Sequence, residues 1–480
     1  MENRVFDVAV FGGGVIGASV FNVLVKSGYD AVLLEKGTDI SVGTSKANSG
    51  IVHAGFDAKP GTNKAKFNVE GNRMYPEICA RLGVPLKKIG AYVIGNNESV
   101  VKDLIARGKQ NGLTDLEYKN KTALKREIPN ISDDITCGLF APSSYIVNPY
   151  LYTICLAEEG VVNGGVVKLR YNAKSVKTVK GMYVISNGKE VVVAKQIVNA
   201  CGAGYNDVAK LIGSEEYSLV FKRGEYFVLD HSERNLVKST IFPLPDAHSK
   251  GVLITPTVDG NILVGPTSYV SSVESITTDA GLNEIREKCR KLISNVDLSK
   301  TIRNFSGVRT IVGDDFVVEK SKLKAGVVNL AGICSPGLSS APAIAKYVVG
   351  LLGLKYNPNV KTIKIKPYLV LNNLSDTEKT KYIKKNSSYG RIVCKCEGVS
   401  EGEIIDAINR PIVPTTTDAI KRRVRPGMGR CQGGFCLDKV IKILSEQTGV
   451  LFDNIEKDSA GSKWIADEVK GGYDKWKQMC

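Results

Sequence analysis

Two tight cysteine pairs stand toward one end of the chain: Cys394-x-Cys396 in "RIVCKCEGVS" and Cys431-x4-Cys436 in "GMGRCQGGFC". Thirty-four residues separate Cys396 from Cys431. Both pairs sit in glycine-containing turns, where sulfurs can converge, and four thiolates suit either zinc or a [2Fe-2S] cluster. Cys-x-Cys is unusual for structural zinc, which favours Cys-x-x-Cys knuckles. At the other end, "VFDVAVFGGGVIGASV" holds Gly12-x-Gly14-x-x-Gly17, and Glu35 closes the next strand-like run. Gly12 permits a tight turn, Gly14 lets the backbone approach a pyrophosphate, and Gly17 lets helix and strand pack closely. Free amides at the helix start bind phosphate oxygens, while the Glu35 carboxylate can accept both ribose hydroxyls. In a strand–turn–helix–strand–Glu setting this is a dinucleotide site rather than an incidental glycine turn. NAD and FAD share the pattern.

The elements that must position these groups follow from periodicity. Residues 5–11 read as a buried parallel strand, 15–27 as a helix ended by Gly28, and 31–35 as the second strand of a βαβ unit. Phe21 stands where a small residue often faces the sheet, which asks for local repacking. Strand-rich segments follow at 87–95, 164–179, 181–202 and 224–230, and Asp259-Gly260 forms the turn of a hairpin. Mixed strands after a βαβ start imply a second sheet covering the nucleotide domain. The apolar stretch 340–354, interrupted by Lys346, reads as a buried helix. Residues 368–390 turn polar and lose their pattern, the mark of a linker. Beyond it come short helices, one opened by a Ser400–Glu403 capping box and another, 436–449, closed by Gly449.

Composition bounds the rest. The chain has 480 residues, 43% hydrophobic and 24% charged, which is too long for one core and typical of a globular protein. No apolar run reaches the roughly 18 residues a membrane span needs. No signal peptide is read at the start, and the other seven cysteines are scattered singly, so a cytoplasmic setting is expected. The net charge of +16 is spread as a solvated lysine surface; attraction of anionic substrates or peripheral contact with the inner face of a membrane are its functional alternatives. Nucleic acid is not expected, since no binding motif accompanies the charge.

Three further patches, "TSKANSGIVHAGFD" (44–57), "VNACGAG" (198–204) and "AGICSPGLSS" (331–340), resemble the FAD-dependent glycine-oxidase and D-amino-acid-oxidase superfamily. The likeness is greatest to the branch of glycerol-3-phosphate oxidases and dehydrogenases and L-2-hydroxyglutarate dehydrogenases. It implies that Lys36, Thr44, Ser45, Asn48, Ser49, Gly50, Ala200, Gly202, Gly332, Gly337, Leu338 and Ser339 join the glycine loop around FAD. Amides near Gly337 and Leu338 would face the charge of a reduced flavin. His53 would be the base that takes a hydroxyl proton as hydride leaves, a task suited to a neutral imidazole, against the plainer role of a core histidine. Arg309 would hold the substrate's anionic group bidentately; the alternative is a structural ion pair. Lys250 matches the lysine of the glycerol-phosphate enzymes, where hydroxyglutarate enzymes carry an apolar residue, unless it is simply a solvated hairpin lysine. His248 is expected at the surface.

The segment from Cys394 to Cys436 resembles the bacterioferritin-associated-ferredoxin-like [2Fe-2S] domain, in the version fused to anaerobic glycerol-3-phosphate dehydrogenases. The expected architecture is α/β plus α+β: a Rossmann-type FAD-binding domain interleaved with a mixed-sheet substrate domain (1–368), a linker (369–389), a small helical cluster domain (390–450) and a charged tail (451–480). The expected activity is oxidation of sn-glycerol 3-phosphate to dihydroxyacetone phosphate, with electrons leaving through the cluster to a protein or quinone, a second flavoprotein subunit included. The rivals are an L-2-hydroxyglutarate dehydrogenase, a more distant glycine- or proline-type amino-acid dehydrogenase, and an electron-transfer subunit with no substrate of its own.

Overall fold

The computed structural model describes residues 4–245, 251–272 and 274–465. Contacts divide the chain into two units: Met1–Lys36 with Ile40–Pro367, and Gly37–Asp39 with Tyr368–Cys480. In the first, β1 (Val5–Phe11) lies parallel to β2 (Ala31–Leu34), with Val8 opposite Ala31 and Phe11 opposite Leu34. The helix α1 (Val15–Lys26) connects them. On its other edge β1 pairs in parallel with Val191–Asn199, which pairs in parallel with Val327–Ala331. Covered on both faces, residues 8–11 and 31–34 are unbroken buried apolar runs, as strands inside a parallel sheet require. Val166–Lys168, parallel to β2, and three antiparallel strands complete an eight-stranded mixed sheet. Parallel strands share an end, so the residues that follow them, Gly12, Glu35, Ala200 and Gly332, are delivered to one edge.

Phe21 is fully buried, and the repacking it requires comes from two glycines. A Cβ at Gly160 would stand 2.3 Å from the Phe21 ring, and one at Gly165 2.5 Å from it.

The second sheet has nine strands. Val220–Leu229 and Thr301–Ile311 form its long antiparallel pair, with Lys222 opposite Arg309. The expected hairpin is present: Leu253–Pro256 pairs with Ile262–Gly265, and Gly260 takes the left-handed φ of +100° that the turn needs. The helix α2 (Asn63–Leu82) packs on the helix Gly337–Leu351.

The second unit is mainly helical around a core of Val393, Ile404, Ile408, Ile420, Val440 and Leu444. The Ser400–Glu403 capping box is formed, and Gly449 closes the helix Leu437–Thr448. Two segments differ from expectation. Within the expected linker 369–389, Asp376–Lys385 is a helix with its own Ser375–Glu378 capping box; it buries no residue, so no apolar period betrays it. The Leu371 N–H also bonds Glu403 Oε1 at 2.9 Å. The start of the expected tail is likewise structured: Ile455 is buried in the core, and Trp464 Nε1 donates to Thr417 Oγ1 at 3.0 Å. Residues 466–480 lie outside the described residues. This unit also contains Asp39, fully buried between Arg422 (3.0 Å) and Arg423 (2.7 and 2.9 Å). Burial alone would raise its carboxyl; the two guanidiniums, Arg423 foremost, reverse this and hold it below the usual range. Among the described residues no helix is long and apolar enough to cross a membrane.

Candidate functional site

The glycine loop is shaped by side chains from outside it. Glu35 turns back so that Oε2 accepts the Gly13 N–H at 2.6 Å, and Ser45 Oγ accepts the Val15 N–H at 2.8 Å. A Cβ at Gly12 would meet the Ala200 carbonyl oxygen at 2.6 Å, and one at Gly17 the Gly12 carbonyl oxygen at 1.9 Å. A Cβ at Gly14 would meet only Ser45 Oγ, at 3.2 Å. The N-cap of α1, Gly14, offers no side-chain cap and its first turn has no acidic residue; with Ser45 taking only the Val15 amide, the positive end of the helix stays suited to phosphate. Lys36 Nζ lies 3.7 Å from where a Cβ of Gly204 would be, just past Gly202. An FAD pyrophosphate and ribose therefore fit the donors and spaces at this edge.

The 44–50 patch is tied down on both sides. Thr44 Oγ1 donates to the Val308 carbonyl at 2.6 Å, Asn48 Nδ2 to the carbonyls of Thr44 and Ser45, and the Gly50 N–H to Asn48 Oδ1 at 2.9 Å. Ala47 lies against Gly307, where a Cβ would stand 2.0 Å from the Ala47 carbonyl oxygen. Two residues along that strand comes Arg309, whose Nη2 donates to the Thr267 carbonyl at 2.9 Å, fixing one arm of the guanidinium. Burial raises the Tyr226 hydroxyl, while Arg309 and Ser49 act in the opposite direction. Arg309 and Ser49 are thus neighbours of one tyrosine.

His53 is held by its main chain. Its N–H donates to Ser339 Oγ at 2.8 Å, and its carbonyl accepts from Asn68 Nδ2 at 2.7 Å and Asn72 Nδ2 at 3.0 Å. Nε2 lies 3.5 Å from Ser335 Oγ, at the outer limit of a hydrogen bond. The ring lines a cavity of about 210 Å³ shared with Phe56, Asp57, Lys59, Lys64 and Ser335. Lys64 Nζ donates to the Asp314 carbonyl at 2.7 Å.

The 331–340 patch differs from expectation in one amide. The Gly337 N–H donates to the Cys334 carbonyl at 2.5 Å, so it serves the turn. The helix starting there has no side-chain cap, which leaves the first-turn amides of Leu338 and Ser339 as the donors at that end. The Leu338 carbonyl accepts from Tyr75 at 2.5 Å. Asn68, Asn72, Tyr75 and Ser335 were not singled out from sequence; the pair Asn68/Asn72, four apart on one face of α2, was the available signal. Lys250 and His248 lie outside the described residues. Arg309 does not line the His53 cavity; Lys59 and Lys64 do.

In the second unit the thiols stand as two pairs, Cys394 with Cys436 and Cys396 with Cys431, and all four influence one another. The Cys436 thiol, followed by amides of Gly427 and Glu397, lowers Cys394 to about 6, while Cys436, as the donor, is pushed up. Burial raises Cys431, but the Gly433 and Phe435 amides outweigh it. Amides aimed at sulfur suit thiolates around an anionic cluster. Among the described residues no three of His, Cys, Asp or Glu converge to hold a single ion, whereas two facing pairs match the two irons of [2Fe-2S]. Cys394 and Cys436 are buried, Cys431 half-buried and Cys396 exposed.

Residues 7–351 match the family described as FAD dependent oxidoreductase, and residues 392–446 the BFD-like [2Fe-2S] binding domain. A glycerol 3-phosphate dehydrogenase of Caloramator mitchellensis is 41% identical over 475 residues, taking in 97% of this chain and 99% of that protein. A glycerol 3-phosphate oxidase of Mycoplasma genitalium is 30% identical over 382 residues, 74% of this chain and 98% of that one. The solved structure of dithionite-reduced L-alpha-glycerophosphate oxidase from Mycoplasma pneumoniae, with FAD bound, has a TM-score of 0.72 at 28% identity, covering 76% of this chain and 100% of that one.

Proposed function

The chain belongs to the FAD dependent oxidoreductase family, and from that premise we propose that it oxidises sn-glycerol 3-phosphate to dihydroxyacetone phosphate, sending electrons out through its own [2Fe-2S] domain. The observation that carries this reading is the near end-to-end match to a glycerol 3-phosphate dehydrogenase, which takes in the flavin-family residues and the cysteine unit together.

FAD, when bound, supplies a two-electron hydride acceptor. The loop Gly12–Gly17, Glu35, Lys36, Ser45 and the Ala200–Gly202 turn hold its nucleotide part. Thr44, Asn48, Ser49 and Gly50, with Leu338 and Ser339, would hold its ring part. His53 takes the C2 hydroxyl proton of the substrate. Its main chain is gripped by Ser339, Asn68 and Asn72 and its ring lies against Phe242 with Nε2 3.5 Å from Ser335 Oγ, the positioning a general base needs. Arg309, oriented by the Thr267 carbonyl, and Lys250 hold the phosphate. Lys59 and Lys64 outnumber Asp57 around the cavity beside His53, which favours an anionic substrate. Cys394, Cys396, Cys431 and Cys436 hold the cluster, whose one-electron chemistry suits a protein or quinone acceptor.

Anaerobic mixing with glycerol 3-phosphate should bleach the flavin, and L-2-hydroxyglutarate should leave it oxidised. The reverse outcome would assign the chain to the hydroxyglutarate enzymes. A flavin untouched by either, or by small amines, would favour a pure electron relay. His53→Gln should slow bleaching by about 10²- to 10⁴-fold with the flavin still bound; an undiminished rate would remove His53 from the base role.

A further inference from the structure

The edge of the cysteine unit that carries Cys396 has an apolar and a charged component. Phe435 is 82% exposed, more than any other large apolar side chain among the described residues. Its position is set by chemistry: its N–H acts on the Cys431 sulfur, and its chain neighbour is Cys436. An exposed phenylalanine ring is costly in water unless something covers it. The two loops, 394–398 and 427–436, pack together, since a Cβ at Gly429 would stand 2.4 Å from that of Cys396. They contain three charged residues. Lys395 and Arg430 are exposed, whereas Glu397 is bound to Arg425 at 2.8 Å, its side chain only 5% exposed. The thiol nearest solvent is therefore rimmed by one ring and two cations.

We propose that this rim, Phe435 with Lys395 and Arg430, is the docking surface for an acidic one-electron carrier protein, which takes electrons at the Cys396 edge. The occupant follows from charge complementarity: two exposed cations with no exposed acid in the loops attract an acidic surface and speed its encounter. A neutral quinone gains nothing from them. The ring supplies the apolar centre that small transient redox interfaces use. Two carrier molecules, each reduced by one electron, account for the pair removed from one alcohol, and the two protons go to solvent. The inference rests on the reading that electrons leave through the [2Fe-2S] domain, and it is independent of which alcohol supplies them.

The test mixes dithionite-reduced holoenzyme in a stopped-flow instrument with oxidised rubredoxin, a small acidic iron protein, and separately with menadione, a neutral quinone. Rubredoxin binding is also measured directly by calorimetry. Rubredoxin binding should weaken about tenfold between low and high salt. It should weaken by a similar factor in the double variant Lys395→Glu/Arg430→Glu and again in Phe435→Ser, while the visible absorbance of the cluster and the menadione rate stay unchanged. Rubredoxin binding indifferent to salt would overturn the proposal, even if a variant fails to take up iron. Variants that slow menadione as much as rubredoxin would assign the rim to a quinone. Because dithionite is the reductant here, failure of glycerol 3-phosphate to bleach the flavin would count against the substrate reading alone.

Discussion

In the larger unit the tightest approaches are backbone against backbone. A Cβ would stand 1.9 Å from the Gly12 carbonyl oxygen if placed at Gly17, 2.0 Å from that of Ala47 at Gly307, and 2.1 Å from that of Ser339 at Gly71. Each contact sits beside a patch proposed to hold the flavin. In the smaller unit the central fixture is ionic: Asp39 between Arg422 and Arg423, with side chains at most 4% exposed. A large sheet protein has core enough to place backbone against backbone wherever a flat ring must lie. A small unit has a smaller apolar interior, and here a buried charge cluster adds hydrogen bonds with defined geometry. Precision at the flavin thus depends on absent side chains, and at the cysteine unit on paired ones.

The sharpest way to break that contrast is Gly17→Ala. One methyl at 1.9 Å from a carbonyl oxygen cannot be relieved by a flexible neighbour, so the purified variant should lack the yellow absorbance of FAD altogether. Retention of flavin would mean that the glycine loop yields. Next in size, Asp39→Asn removes the carboxylate that Arg422 and Arg423 share, Arg422 keeping its bond to Asp458 at 2.7 Å, and should destabilise the smaller unit by about 3–5 kcal/mol, read by denaturant unfolding. A change below 1 kcal/mol would make the ion cluster incidental. Gly160→Ala overpacks the Phe21 ring and should cost about 1–3 kcal/mol, most of it recovered by adding Phe21→Leu; no recovery would place the strain elsewhere.

The smallest effect concerns Glu215 in the larger unit. Burial acts to raise its carboxyl, but the Ser321 hydroxyl, the Lys322 amide and the Asn329 side chain reverse this and hold it at about 2. A folded-state value below the unfolded one, about 4.3, stabilises fully above that range and loses its contribution as pH falls toward 2. Glu215→Gln should therefore narrow the gap in melting temperature between pH 7 and pH 3. Glu215 is half-buried at the surface, so solvent screening keeps the change modest. An unchanged gap would show that the bond to Asn329 contributes nothing to holding the strand before Gly332.

What could be read beforehand divides along physical lines. The βαβ start, the Asp259-Gly260 hairpin and the Ser400 capping box are local, each written in a few consecutive residues. The helix 376–385 escaped notice because it buries nothing, although Ser375-x-x-Glu378 was there to be seen. Ile455 joins the core from the stretch 450–455, whose Leu451 and Phe452 stay exposed, so no regular period announces it. The grip of Asn68 and Asn72 on the His53 carbonyl joins residues fifteen and nineteen apart, and no local pattern marks such a bond. Among the cations, Arg309 is found near the 44–50 patch, while Lys59 and Lys64, without a motif of their own, line the cavity at His53.

The fit between Phe21 and the pair Gly160/Gly165 reaches beyond stability. These positions form one bulky residue and two vacancies on segments far apart in the chain, so they are exchangeable only as a set. A chimera that grafts the first forty residues from a relative with alanine at position 21 would leave a ring-sized void against the helix Pro149–Val162. Anyone recombining this scaffold with its kin should cut so that both segments come from the same parent.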